Sequence, residues 1–343
     1  MRRLGCILIL LAACGGDDGG GAAVDAGARP DAPGDAAAAD ASLMPMTLGE
    51  TGLYAGELGG ELAPGVVEYQ VAWELWSDGA AKRRFVLLPE GAVIDSSDMD
   101  FWTYPVGTRI WKEFSVEGAR IETRLLWKQA PGEWLALAFA WSEDGGEAIA
   151  APDGVEDALG TSHDIPRERD CLTCHAPQPD MVLGLSALQL DHAPGEVTLA
   201  SLAAGGRLSD PPAGEGAPYF PLPGDEVDRA ALGLLHGNCG GCHFAGSDVQ
   251  EQTSLELRLA VGELDAVDQT AAYRTAVDQE EDRALGPPVT ALIEPGDHEA
   301  SAVWVRMGSR VEMEGMPPLG SEVVDEVGLS AVAAWIDSLP PTP

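Results

Sequence analysis

The chain has 343 residues, enough for about two domains of ordinary size. Its 56 acidic residues outnumber its 20 basic ones, and the formal net charge of −36 gives a surface that repels nucleic-acid phosphates. Charge therefore excludes nucleic acid as a natural partner. After the first fifteen residues, no apolar run reaches the roughly 20 residues that a membrane-spanning helix needs.

The N terminus has the pattern of a bacterial export signal. Two arginines precede a short apolar run, and residues 11–14 read Leu-Ala-Ala-Cys. This ending resembles the lipobox of bacterial lipoproteins, in which the cysteine receives lipid and becomes the first residue of the mature protein. We expect a signal peptide over residues 1–13 and lipidation at Cys14, or else an ordinary signal peptide cleaved at small residues. Gly15 in place of aspartate favours the outer membrane, and the lipid is the only expected membrane anchor.

Residues 14–45 are predicted to form a flexible acidic linker. They are mostly Gly, Ala, Asp and Pro, with almost no large apolar side chain. Such a segment cannot bury enough surface to offset the entropy lost on ordering.

A β-rich domain is predicted over residues 46–195. Residues 66–150 hold seven of the nine tryptophans, and large apolar side chains recur there with a period of two. The alternation over 110–116 and 121–127 predicts a β-hairpin, and that over 135–141 predicts a further strand.

The rest of the chain is predicted to be mostly helical. Helical spacing covers residues 165–192, a Pro- and Gly-rich stretch over 196–224 predicts a linker, and residues 225–343 predict a helical domain. Asp225 is the expected N-cap of its first helix. Its last helix is expected to bury one face made of Val332, Trp335, Ile336 and Leu339. The predicted fold class is α+β, an N-terminal antiparallel β domain followed by a mostly α-helical domain.

Two Cys-x-x-Cys-His motifs carry the strongest chemical signal. The first motif is Cys171-Leu172-Thr173-Cys174-His175, and the second motif is Cys239-Gly240-Gly241-Cys242-His243. This is the attachment sequence for c-type haem, because two cysteines three apart can form thioethers to both vinyl groups and the next histidine can reach the iron. We predict two covalently bound haem c groups, held by the four cysteines, with His175 and His243 as iron ligands.

Two other uses of these cysteines remain open. Two Cys-x-x-Cys pairs could bind zinc as four thiolates, or act as redox dithiols. Neither use requires a histidine directly after both pairs. The remaining cysteines of the chain are Cys6, in the signal peptide, and Cys14, so none is left for a disulfide framework.

Met316 is the predicted distal iron ligand of the second haem. It lies in a Met-Pro-Pro sequence ahead of the last helix, and the prolines would stiffen the loop that presents its sulfur. Met313 is a rival for this role. No such sequence follows the first motif. His163, His192 and Met181 are weaker candidates there, and the first iron is open to being five-coordinate.

Residues 226–339 resemble a cytochrome c domain, with a helix leading into the second motif, a Met-Pro-Pro loop, and a closing helix. The whole arrangement resembles a family of exported bacterial di-haem cytochromes in which a tryptophan-rich β region precedes the first motif. The segments that match this family are 74–80, 105–108 and 183–185. The β domain also loosely resembles β-sheet cytochromes that oxidise hydroxylamine with a lysine-cross-linked haem. Lys112 and Lys128 are among the few lysines available in it.

The resemblance implies electron transfer outside the cytoplasm, with a redox partner protein and no identified catalytic residue. A five-coordinate first haem would instead make the chain a di-haem oxidoreductase, peroxidase-like or acting on small nitrogen compounds. A third alternative is a ligand-binding β module with a redox tail.

Overall fold

The computed structural model of the protein describes residues 44–214, 216–281, 283, 285–311 and 313–341. The predicted signal peptide over 1–13, the lipidation site Cys14 and almost all of the linker over 14–45 lie outside the described residues. Within the described part, strands and helices belong to one compact unit, Leu43–Pro343. The predicted division into a β domain and a helical domain stays a prediction.

Six strands form one antiparallel sheet in which each strand pairs with the next along the chain. The strands are β1 (Val66–Tyr69), β2 (Ala81–Leu87), β3 (Arg109–Val116), β4 (Ala119–Ala130), β5 (Glu133–Trp141) and β6 (Ala148–Ala150). The predicted hairpin is the β3–β4 pair, and the predicted further strand is β5. Both predictions are confirmed, because the period-two alternation matches the two faces of a pleated strand.

One face of the sheet carries an apolar core. Phe85, Trp111, Leu125 and Leu137 lie opposite one another in consecutive strands, and all four are almost fully buried. Cross-strand pairs of large apolar residues fix the register, since a slip by one residue would turn the whole row toward the other face.

Seven α-helices are present in the described part of the chain. They are α1 (Glu168–His175), α2 (Ala187–Asp191), α3 (Leu199–Ala204), α4 (Glu226–Asn238), α5 (Ala271–Ala276), α6 (Ala302–Gly308) and α7 (Glu326–Ser338). The fold class is therefore α+β. None of these helices has the length and hydropathy to cross a membrane.

Two helix predictions are confirmed. The Asp225 carboxylate accepts hydrogen bonds from the Val227 and Asp228 backbone amides and so caps α4. The four apolar residues of the last helix are buried against a core that α4 and α7 share, namely Val332, Trp335, Ile336 and Leu339.

The helical prediction over 165–192 is wrong in its middle part. The structure has α1 and α2 there, and residues 176–186 between them are not helical. Met181 and Gly184 have φ values of 61° and 82°, in the left-handed region that ends a right-handed helix. Within the predicted linker over 196–224, α3 buries Leu199 and Leu202.

Candidate functional site

The first motif occupies the C-terminal part of α1. The helix begins after Arg167, whose backbone amide donates to the Asp170 carboxylate at 3.2 Å. Cys171 and Cys174 lie three apart on this helix, and His175 is its last residue. A short, capped helix thus places both thiols within one turn of each other and the imidazole beside them.

The second motif forms a tight turn directly after α4. The Cys242 and His243 amides donate to the Cys239 carbonyl at 3.0 and 2.9 Å. Gly240 is required by crowding, because a Cβ built there would lie 2.7 Å from the His236 carbonyl oxygen and 2.9 Å from the Arg258 Cα. The turn therefore has a fixed position between α4 and the segment that follows it.

The tertiary structure brings the two motifs into contact. The Cys174 and Cys242 thiols lie close enough for each to shift the pKa of the other. The Gln178 side-chain amide donates to the Gly241 carbonyl, and Arg258 Nη1 donates to Gln178 Oε1 at 2.7 Å. Gln178 and Gly241 are 63 positions apart in the sequence, so no local sequence pattern predicts this contact.

Both motif histidines use the same ring nitrogen for a backbone hydrogen bond. His175 Nδ1 lies 2.6 Å from the Met181 carbonyl oxygen, and His243 Nδ1 lies 3.2 Å from the Leu255 carbonyl oxygen. A carbonyl only accepts, so in each neutral ring Nδ1 carries the proton and Nε2 keeps its lone pair. Burial lowers the pKa of His175 to about 4 and also lowers that of His243, which keeps both rings neutral.

The four motif thiols differ in acidity. Burial raises the pKa of Cys171, and it raises that of Cys239 to about 12. The neighbouring Cys242 thiol, together with burial, raises the pKa of Cys174, whereas the neighbouring Cys174 thiol lowers the pKa of Cys242. Among the described residues no group of three or more His, Cys, Asp or Glu side chains is placed to hold a metal ion.

A small cavity of about 20 Å³ separates the second motif from the Met-Pro-Pro loop. Cys239 and Met316 both line it, whereas Met313 is 84% exposed on the surface. The sequence did not single out Met307, on α6, which lines the same cavity. In the sequence, Met307 is spaced from its apolar neighbours like an ordinary core methionine, so only the tertiary structure shows that it lines this cavity.

Trp76, in the segment 74–80 on which the expected resemblance partly rests, forms part of the wall of this cavity. The Trp76 amide donates to Asn238 Oδ1 at 2.7 Å, and its indole Nε1 donates to the Val323 carbonyl at 2.9 Å. Asp78 accepts from the Val323 amide at 2.8 Å. A segment between β1 and β2 thereby closes a site whose other walls come from the helical part of the chain.

Charged side chains on the second face of the sheet lie near the first motif. We use the name cationic row for Arg84, Lys112 and Arg124, which lie opposite one another on β2, β3 and β4. Burial and the neighbouring charges of Arg84, Arg124 and Lys82 lower the pKa of Lys112 well below its ordinary value. Burial and the neighbouring cations thus disfavour the protonated form of Lys112 beside the first motif unless an anion offsets them.

The three weaker candidates for the first iron all have other contacts. His163 is buried, and its Nε2 pairs with the Glu122 carboxylate at 2.8 Å. His192 Nε2 donates to the Phe220 carbonyl at 2.9 Å. The Met181 backbone carbonyl accepts from His175 Nδ1.

Lys128 lies in a different environment from Lys112. Its ammonium pairs with both carboxylate oxygens of Asp180 at 2.7 Å, and both side chains are buried. Lys128 thus anchors the loop that follows the first motif, while Lys112 lies beside the motif itself. A small cavity of about 20 Å³ adjoins the same loop, lined in part by Gln178, Asp180 and Arg258.

No protein-family model, curated protein or solved structure matches the chain. The likeness to exported di-haem cytochromes therefore stays an expectation from the sequence. What the chain does is inferred from the geometry of the two motifs.

Proposed function

We propose that the chain binds two c-type haems and transfers electrons outside the cytoplasm. The observation that carries the proposal is the matched geometry of His175 and His243. In both, a backbone carbonyl holds Nδ1–H and leaves the Nε2 lone pair available. A hydrogen bond from the opposite ring nitrogen is the usual support for a metal-ligating histidine.

The other residues of each site fit the same group. Cys171 and Cys174 would attach the first haem and Cys239 and Cys242 the second, through thioether bonds. Met316 shares a cavity with Cys239, so its sulfur would serve as distal ligand of the second haem. A bound haem supplies one-electron chemistry, and a methionine ligand raises its reduction potential.

The contact between the motifs supports a relay. Because the Cys174 and Cys242 thiols lie close enough to shift each other's pKa, groups attached to them would lie near each other. Electrons would then pass between the two sites without a large rearrangement of the protein. The net charge of −36 would steer a basic redox partner toward the acidic surface.

The proposed organisation follows the order of the elements. Residues 46–195 would form a β domain that ends in the first motif, and residues 225–343 a cytochrome c-like domain with α4 before the motif and α7 after the Met316 loop. Export and lipidation at Cys14 would tether the chain to a membrane on the periplasmic side or at the cell surface, with the outer membrane favoured.

The proposal is tested by counting haems in protein matured by a host that attaches c-type haem. We expect two haems per chain by pyridine haemochrome absorbance and by intact mass. The double variants C171A/C174A and C239A/C242A should each retain one. A chain that carries zinc or nothing in place of haem would refute the proposal.

The distal ligand is tested by Met316→Leu, with Met313→Leu as the matched control. Loss of the Met316 sulfur should abolish the methionine–iron charge-transfer band and lower the potential of one haem. The exposed Met313 should be replaceable without either change. If Met307 is the ligand instead, only Met307→Leu will remove the band.

A second candidate function is a di-haem oxidoreductase with an open first iron. The observation that favours it is that the ring nitrogens of His163 and His192 are held by other partners, Glu122 and the Phe220 carbonyl. An open position would allow a small molecule to bind. A high-spin first haem that binds carbon monoxide would support this function, and two low-spin haems indifferent to carbon monoxide would support the plain electron carrier.

The ligand-binding β module has no comparable support. All nine tryptophans lie at described positions, and each is buried or half-buried. Aromatic side chains at strand spacing here fill the core.

A further inference from the structure

Three positively charged side chains lie side by side on one face of the sheet. Arg84 is directly opposite Lys112, and Lys112 is directly opposite Arg124. Like charges directly opposite one another destabilise a sheet. The cationic row therefore lowers the stability of the sheet unless an anion balances it.

The protein supplies too few carboxylates to balance the cationic row. Glu74 pairs with Arg84 at 2.9 Å and with Lys82 at 4.0 Å. Glu122 pairs with Arg124 at 2.6 Å. Lys112 makes neither a salt bridge nor a hydrogen bond with any described residue, and its ammonium lies 5.0 Å from the centre of the Phe114 ring.

When Lys82 and all of the cationic row are protonated, four cations meet only two carboxylates within salt-bridge distance, while Asp78 acts on Lys82 from further away. This shortage is local, because acidic residues outnumber basic ones by 36 in the whole chain. A buried charge is normally paired or hydrogen-bonded. The position of Lys112 between two arginines on a half-buried face points to a partner that is not part of the polypeptide.

The cationic row adjoins the first motif. Lys112 and Arg124 both act electrostatically on Cys174 and on His175, and Arg124 also acts on Cys171. An anion held by this row would therefore lie beside the group attached to the motif. A surplus of positive charge at this position suits a ligand that carries carboxylates.

We propose that Arg84, Lys112 and Arg124 bind a pair of carboxylates beside the first motif, and that these are the two propionates of the first haem. The assignment to haem rests on the proposed function. A soluble dicarboxylate has the same chemistry and would compete for the same row. Lys112, which has no carboxylate of its own, is the residue on which this ligand depends most.

The first test compares Lys112→Met with Lys112→Arg in the haem-loaded protein. Lys112→Met should lower both the urea midpoint of unfolding and the reduction potential of the first haem, because a positive charge beside the iron stabilises its reduced form. Lys112→Arg should restore both. A Lys112→Met protein that is as stable as the parent, or more stable, would overturn the proposal, since removal of an unbalanced charge relieves repulsion.

The second test uses C171A/C174A, which lacks only the first haem, and succinate as the soluble probe. Isothermal titration calorimetry should detect succinate binding to this variant. Adding Lys112→Met to the variant should abolish the binding. The fully haem-loaded protein should not bind succinate. Binding to the fully loaded protein would overturn the assignment to haem. If the chain carries no haem, the proposed function fails, yet succinate binding that depends on Lys112 would still support the anion site. No binding by any form would overturn it.

Discussion

Replacing Lys128 with methionine should strongly destabilise the protein. Lys128 Nζ lies 2.7 Å from each carboxylate oxygen of Asp180, with side-chain exposures of 3% and 6%. At this distance two unit charges attract by about 6 kcal/mol with an effective dielectric constant of about 20. Removing one partner leaves a buried charge without compensation, which typically costs about 3–5 kcal/mol.

Because Asp180 has other hydrogen-bond donors, the expected loss of stability lies near the lower end of the range of about 3–5 kcal/mol. Its carboxylate also accepts from the Tyr104 amide at 2.6 Å and from Trp134 Nε1 at 2.9 Å. We therefore expect Lys128→Met to lower the free energy of unfolding by about 3 kcal/mol, measured by urea denaturation with circular dichroism.

Arg274 provides the matched control for this measurement. Its guanidinium lies 2.7 Å from the Glu263 carboxylate, but the two side chains are 49% and 34% exposed. Arg274→Met should cost about 1 kcal/mol or less, because water screens an exposed pair. Equal losses for the two variants would refute the reasoning that burial, and not distance, makes the Lys128 pair important.

Three further predictions concern α4 and the second motif. Gly233→Ala should lower the free energy of unfolding in urea by about 1–3 kcal/mol, because the added Cβ would lie 2.0 Å from Trp73 Nε1. An unchanged urea midpoint would contradict this packing. Burial lowers the pKa of His236 from 6.5 to about 3, so only the unfolded chain gains this proton as pH falls through that window. Stability should therefore fall with decreasing pH by up to about 1.4 kcal/mol per pH unit, and His236→Gln should remove that part of the slope. Gly240→Ala should reduce haem attachment at the second motif alone, by mass spectrometry, because its Cβ would collide with backbone at Arg258.

The strands and the terminal helix could be predicted because their patterns are local. Apolar side chains alternate over 110–116 and 135–141, which is enough to predict strands with two different faces. In the last helix, the apolar residues around Trp335 recur at helical spacing, which is enough to predict one buried face. The break between α1 and α2 was missed. Met181 there has a left-handed backbone conformation, and nearby Asp180 is held by a lysine 52 positions away in the sequence.

The sequence by itself determined the chemistry of the candidate site. The spacing of Cys171, Cys174 and His175, repeated in the second motif, limits the chemical uses of these side chains, because three covalently neighbouring groups can reach only one small region of space. Tertiary structure alone decided what surrounds them. The proximity of Cys174 to Cys242 and the cationic row depend on strand register and on packing between distant segments, and a linear pattern contains neither.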